Sequence, residues 1–241
     1  WCGDEDVNGY LDGWIQYLDT PSISVGNGGE FSSRIYYAIE DTAGPFVDGS
    51  CTDGWDAANI RISIDEGSTW VLLEDPSNPY HFDCGYGWIY NDSKYDTDGS
   101  FNHLAKGWGG SSYSWVDFSA ELDEYSGKDI IIRFAFGSDP ALSTADESSL
   151  TGFHVDDIIV EDDDTGVLFS DSGDDMSQMI PSGEVWINQF YDYGSEEDGR
   201  PGATEWTFYS PGMPFVPSGG ETNVYLDISE FAEKTIQFRI Q

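Results

Sequence analysis

Apolar and polar residues alternate with a period of two in several stretches of this chain, and no stretch sustains a strong helical period. In SRIYYAIE the residues Ile35, Tyr37 and Ile39 share one face. In NIRISID the residues Ile60, Ile62 and Ile64 do the same, with Arg61, Ser63 and Asp65 turned outward. DIIIRFAFGSD sets Ile130, Ile132, Phe134 and Phe136 on one face, and TIQFRIQ does so with Ile236, Phe238 and Ile240. Successive side chains of a strand point to opposite faces of the sheet, so these segments read as half-buried antiparallel strands. Turn chemistry stands between them: Glu66-Gly67 follows a strand, and VGNGGEF supplies glycines able to take positive φ. The expected fold is all-β, an antiparallel two-sheet sandwich.

One strand-turn-strand pattern occurs twice. ELDEYSGKDIIIRF and DISEFAEKTIQFRI align with Leu122 on Ile228, Tyr125 on Phe231, Lys128 on Lys234, Ile130 on Ile236 and Arg133 on Arg239. The expected organisation is therefore a first sandwich over 1–165 and a second, related but incomplete β unit over 166–241. The first copy runs on through GFHVDDIIV, whereas the second reaches Gln241 with no strand after it. An unpaired edge would result. It would lean on the first unit, be completed by a longer natural chain, or accept a strand from another molecule; a longer chain is the favoured reading.

Composition narrows the function classes. The chain has 241 residues, with 9 Lys and Arg against 46 Asp and Glu, a formal net charge of −37. Nucleic acid is bound chiefly through Lys and Arg and is excluded as the expected partner. Clustered carboxylates fit either a solvated acidic surface or divalent-cation sites. An aromatic content of 15% argues for a packed fold in spite of the charge. No stretch approaches the ~20 apolar residues of a membrane helix, so membrane insertion of this segment is not expected. Of three cysteines, Cys51 in DGSCTDGW and Cys84 in HFDCGYGW lie in similar loops, and a disulfide between them is expected, two free thiols being the alternative. Such a bridge would stabilise the fold by about 3 to 4 kcal/mol in the chain-entropy model.

The segment GFHVDDIIVEDDD raises a particular question, because Asp156 and Asp157 sit side by side within an apolar strand. A bound cation, a solvated strand edge or a hydrogen-bonded turn would each tolerate them. Taken in order, YLDTPSISV, FSSRIYYAIED, GWDAANIRISIDEGSTWVLLE, WVDFSAELDEYSGKDIIIRFAFGSD and GFHVDDIIV resemble the MAM-like, concanavalin-type jelly-roll modules of bacterial secreted peptidases of the immune inhibitor A type and of large surface proteins. The resemblance covers most of residues 14 to 160. It implies an extracellular sandwich with a structural calcium ion (Ca2+), held by Asp156, with Asp157 second, and by Glu40 and Asp56 as partners. The insertion TAGPFVDGSCT between Glu40 and Asp56 departs from the shorter linker of that family.

Catalytic motifs are missing from the sequence. His81, His103 and His154 form no H-E-x-x-H, and there is no G-x-S-x-G elbow, Walker loop or paired C-x-x-C. The acidic loops DTDGSFN and EDDDTG do not complete an EF-hand and read as solvated turns. Tyr86, Trp88, Tyr90, Trp108, Tyr113 and Trp115 stand in Gly-rich surroundings, where flat rings either stack on a ligand or pack beneath a loop. The expected function is a non-catalytic, calcium-stabilised extracellular module for adhesion or for binding glycan or protein. The alternative is a subunit of a surface filament or layer, self-assembled through the C-terminal strand; a glycoside-processing enzyme is a distant third.

Overall fold

A computed structural model describes residues 8–42, 53–85, 103–139, 141–172 and 178–185. All belong to one compact unit, Trp1–Trp206; the other, Thr207–Gln241, lies outside the described residues. The strands are β1 (Trp14–Asp19), β2 (Ile23–Val25), β3 (Glu30–Ala38), β4 (Asp53–Gly54), β5 (Ala57–Ser63), β6 (Val71–Leu72), β7 (Cys84–Gly85), β8 (Val116–Glu121), β9 (Lys128–Gly137), β10 (Gly152–Asp162), β11 (Gly166–Asp171) and β12 (Ile180–Val185).

Two antiparallel sheets form a sandwich. One runs β12-β1-β9-β5-β6, with β2 also pairing on β9; the other runs β11-β10-β3-β8. The short strands β4 and β7 pair in parallel beside them. Strand β9 lies at the centre of the first sheet because its buried Ile130, Ile132, Phe134 and Phe136 recur at period two. From the second sheet Phe31, Ile35, Tyr37, Phe118, Phe153 and Val160 meet them in a common core.

Strands β1 and β2 run along the same side of β9, interrupted at Thr20. Thr20 replaces the missing rung: its amide donates to the Ile132 carbonyl at 2.9 Å and its Oγ1 accepts from the Ile132 amide at 3.0 Å. Between β5 and β6 the chain turns over Asp65, whose carboxylate accepts from the Thr69 amide at 2.8 Å and the Thr69 hydroxyl at 2.6 Å. Glu66 and Gly67 both take positive φ there, so a turn legible in the sequence is the turn that forms.

Strand β5 differs from expectation. All seven of its residues are buried, including Arg61, which alternation sends to solvent. Both faces are covered because the segment around the short 3-10 turn His103–Ala105 lies over the second face. Arg61 is held there by Asn59 Oδ1 at 2.9 Å and the Leu104 carbonyl at 3.3 Å, as a buried guanidinium must be. Ile64, expected inside, is 46% exposed because the strand ends one residue earlier.

The boundary expected after residue 165 is crossed by both sheets. Strand β11 pairs with β10, β12 pairs with β1, and Phe169 and Met179 enter the core. The repeated TIQFRIQ segment lies outside the described residues.

Candidate metal centre

At one end of the sandwich the two sheets bring their strand termini together. Ile15 of β1 and Ala57 of β5 both stand opposite Gly137 of β9, so residues just before β1 and β5 and just after β9 converge. Gly152 stands opposite Ala38, which puts the end of β3 beside the start of β10, with Glu40 two residues on. Pairing within each sheet and the packing of one sheet on the other thus gather Glu40, Asp56 and Asp139, each just beyond the terminus of a different strand. One carboxylate oxygen of each lies within 4.8 Å of those of the other two.

Asp56 is fully buried and well bonded. Its Oδ1 accepts from the Asp139 amide at 2.9 Å, and its Oδ2 accepts from the Glu40 amide at 3.3 Å and from the Tyr10 hydroxyl in a short bond. The Tyr10 hydroxyl itself accepts from the Glu40 amide at 3.2 Å, so one tyrosine ties the group together. Asp139, 1% exposed, accepts from the Ala141 amide at Oδ1, at 2.8 Å, and has no partner at Oδ2. Glu40 is likewise buried, with Oε2 unpartnered. Gly13 and Gly110 donate to the carbonyls of Asp139 and Glu40, each at 2.7 Å, which fixes both backbones.

Buried carboxylates this close oppose one another's ionisation. Burial, then the Asp56 and Asp139 charges, push Glu40 up to about 9. Burial pushes Asp139 up to about 6 and raises Asp56 well above the ordinary aspartate range. Asp12, just before β1, is also raised, first by partial burial, which outweighs a hydrogen bond with Ser143, and then by the Asp146 charge; its own charge acts on Glu40 and Asp139. Two buried oxygens without donors, in an all-oxygen acidic group, fit a hard cation, which would satisfy both and remove the repulsion.

Of the four predicted metal ligands, the structure brings together Glu40 and Asp56 and leaves Asp156 and Asp157 elsewhere. Asp156 stands opposite Arg34 on β3, six residues from Glu40, or about 20 Å along an extended strand. Between Asp156 and Ile159 the register slips by one residue, a β-bulge, and Asp157 takes the left-handed conformation with φ of 48°. Asp156 Oδ1 accepts from the Asp157 amide at 2.8 Å, and Asp157 pairs with Arg34 at 3.6 Å. A bulge that turns one carboxylate to solvent and to a cation is therefore how two adjacent aspartates fit in this strand.

Asp139, Tyr10 and Asp12 were not predicted. The available signal is the acidic residue that closes the apolar run DIIIRFAFGSD, a weak one among 46 acidic residues. The run EDDDTG serves as a clip: Asp162 accepts from Gly26 and Thr165 amides, and Asp164 from the amide and side chain of Asn27.

The aromatic candidates divide. Trp108 is fully buried, stacked on Tyr37 at 6.0 Å and beside Tyr80 and Phe118, so it is a core residue and cannot present its ring to a ligand. Trp115 is 40% exposed and Tyr113 91% exposed. Tyr86, Trp88 and Tyr90 lie outside the described residues, as does Cys51 of the expected disulfide; Cys84 is described only as backbone, in β7. Among the described residues no helix is long and apolar enough to cross a membrane. No family model matches the chain, and no curated protein matches it.

Proposed function

We propose that this chain is a non-catalytic, calcium-stabilised β-sandwich module of the MAM-like kind, working outside the cell in adhesion or in binding glycan or protein. The observation that carries the reading is the group Glu40, Asp56 and Asp139, with Asp139 Oδ2 buried and without a donor. These three residues would hold the ion, and the Asp12 charge acts on the same group. Calcium suits them because it accepts six to eight oxygens in flexible geometry, whereas zinc favours nitrogen and sulfur donors that the group lacks. The ion would act structurally, joining the ends of β3, β5 and β9 from both sheets.

Calorimetry of the intact chain with calcium, magnesium or chelator tests this. At a calcium concentration 100-fold above Kd the folded state gains about 2.7 kcal/mol, seen as a higher melting temperature. Asp139→Asn keeps the bond from Ala141 but removes the charge, so the variant should fold, melt no lower than wild type in chelator, and lose most of the calcium response. A wild-type melting temperature indifferent to every divalent cation would refute the metal centre.

A further inference from the structure

The outer face of the sheet β11-β10-β3-β8 carries two transverse rows of side chains. Trp115, Tyr36 and His154 form the first, on three neighbouring chain segments: His154 stands opposite Tyr36, and Trp115 immediately precedes the Val116 that pairs with Ile35. Ring centroids are 6.0 Å apart for Tyr36 and Trp115 and 5.4 Å for Tyr36 and His154. Asp117, Arg34 and Asp157 form the second row. Arg34 lies 3.9 Å from Asp117 and 3.6 Å from Asp157, and its guanidinium sits 5.3 Å from the centre of the Trp115 ring.

Trp115 is thus held in place by Tyr36, His154 and Arg34, yet remains 40% exposed. Two residues before it, Tyr113 exposes 91% of its surface from a left-handed backbone with φ of 59°. A bulky residue is disfavoured in that conformation, and this one gains no burial in return. A fixed Trp115 ring bordered by carboxylates and a guanidinium, with the exposed Tyr113 two residues away in the chain, matches the two sides of a pyranose: C–H groups lie on the rings, and hydroxyls bond to the charged edge.

We propose that Trp115 and Tyr113 form a glycan-binding surface for neutral pyranose units, with Asp117, Arg34 and Asp157 as hydroxyl partners and Tyr36 and His154 as positioning residues. Charge selects the neutral class. Two carboxylates against one guanidinium, within a chain of net charge −37, repel acidic sugars. The inference rests on the reading of the chain as a non-catalytic binding module and makes no use of its metal centre.

Affinity electrophoresis of the intact chain, with calcium present, through gels containing β-glucan, xylan, mannan or the acidic polygalacturonate is the test. Retardation is expected in at least one neutral gel and not in the acidic one. Tyr113→Ala and Trp115→Ala should each weaken it by about ten-fold, while Tyr113→Phe retains most of it. Tyr113 is exposed enough for its variants to keep the wild-type melting temperature, so loss of binding there is not loss of fold. Free migration in every neutral gel, or retardation that both alanine variants preserve, overturns the proposal. If free migration accompanies an intact calcium response, the glycan surface alone fails; if the calcium response is also missing, the metal-stabilised reading fails with it.

Discussion

Asp139 lies two residues beyond the buried end of β9, and its burial makes it sensitive to pH. Burial pushes Asp139 up to about 6, and burial with the Asp56 and Asp139 charges pushes Glu40 up to about 9, both above the values of free side chains. The folded state therefore binds these protons more tightly than the unfolded chain does. This stabilisation is complete below the unfolded carboxyl range, near 4, and is lost as pH rises through about 6 for Asp139 and about 9 for Glu40. In chelator the melting temperature should fall as pH rises from about 4 to about 9. Glu40→Gln should flatten the upper part of that fall, and calorimetry across the pH range measures both.

Among the elements, one edge of the sandwich is closed by a single carboxylate. Asp75, 5% exposed, follows β6 at the edge of one sheet and accepts from the Ser77 amide at 2.7 Å and from the Ser119 amide of β8, in the other sheet, at 3.1 Å. Asp75→Ala leaves both donors without their partner and should cost about 2 to 3 kcal/mol in chemical denaturation. Asp75→Asn, which keeps one acceptor, should cost less. Strand positions themselves were legible beforehand: Ile35, Tyr37, Ile60, Ile62 and, in β9, Ile130, Ile132, Phe134 and Phe136 are all buried as alternation requires. Arg61 was misread because alternation describes a strand with one face in water, and β5 has neither.

For the whole molecule, the sandwich extends past residue 165. A chain ending there lacks β11 and β12, uncovers the sites of Phe169 and Met179, and leaves β10 and β1 as open edges. It should unfold without a sharp transition and aggregate, whereas a chain ending at 185 should unfold cooperatively; circular dichroism with light scattering distinguishes them. The boundary was obscure in sequence because the link between β10 and β11 is a tight acidic turn, and runs of acid, glycine and threonine look the same in a linker as in a hairpin.

The sequence alone determined the fold class, the core faces of the main strands and the turn at Glu66-Gly67, because period-two burial and backbone turn preferences are local properties. It also pointed to Glu40 and Asp56 through a family resemblance. Tertiary structure decided that Asp139 is their third member, since the register of β9 against β1 and β5, together with the packing of the two sheets, carries it to the end of β3. It likewise decided that Asp156 and Asp157 occupy a bulge, that Trp108 belongs to the core, and that Trp115 stands beside Tyr36. Each of these outcomes depends on which strand lies alongside which, and residues far apart in the chain carry no local trace of that pairing.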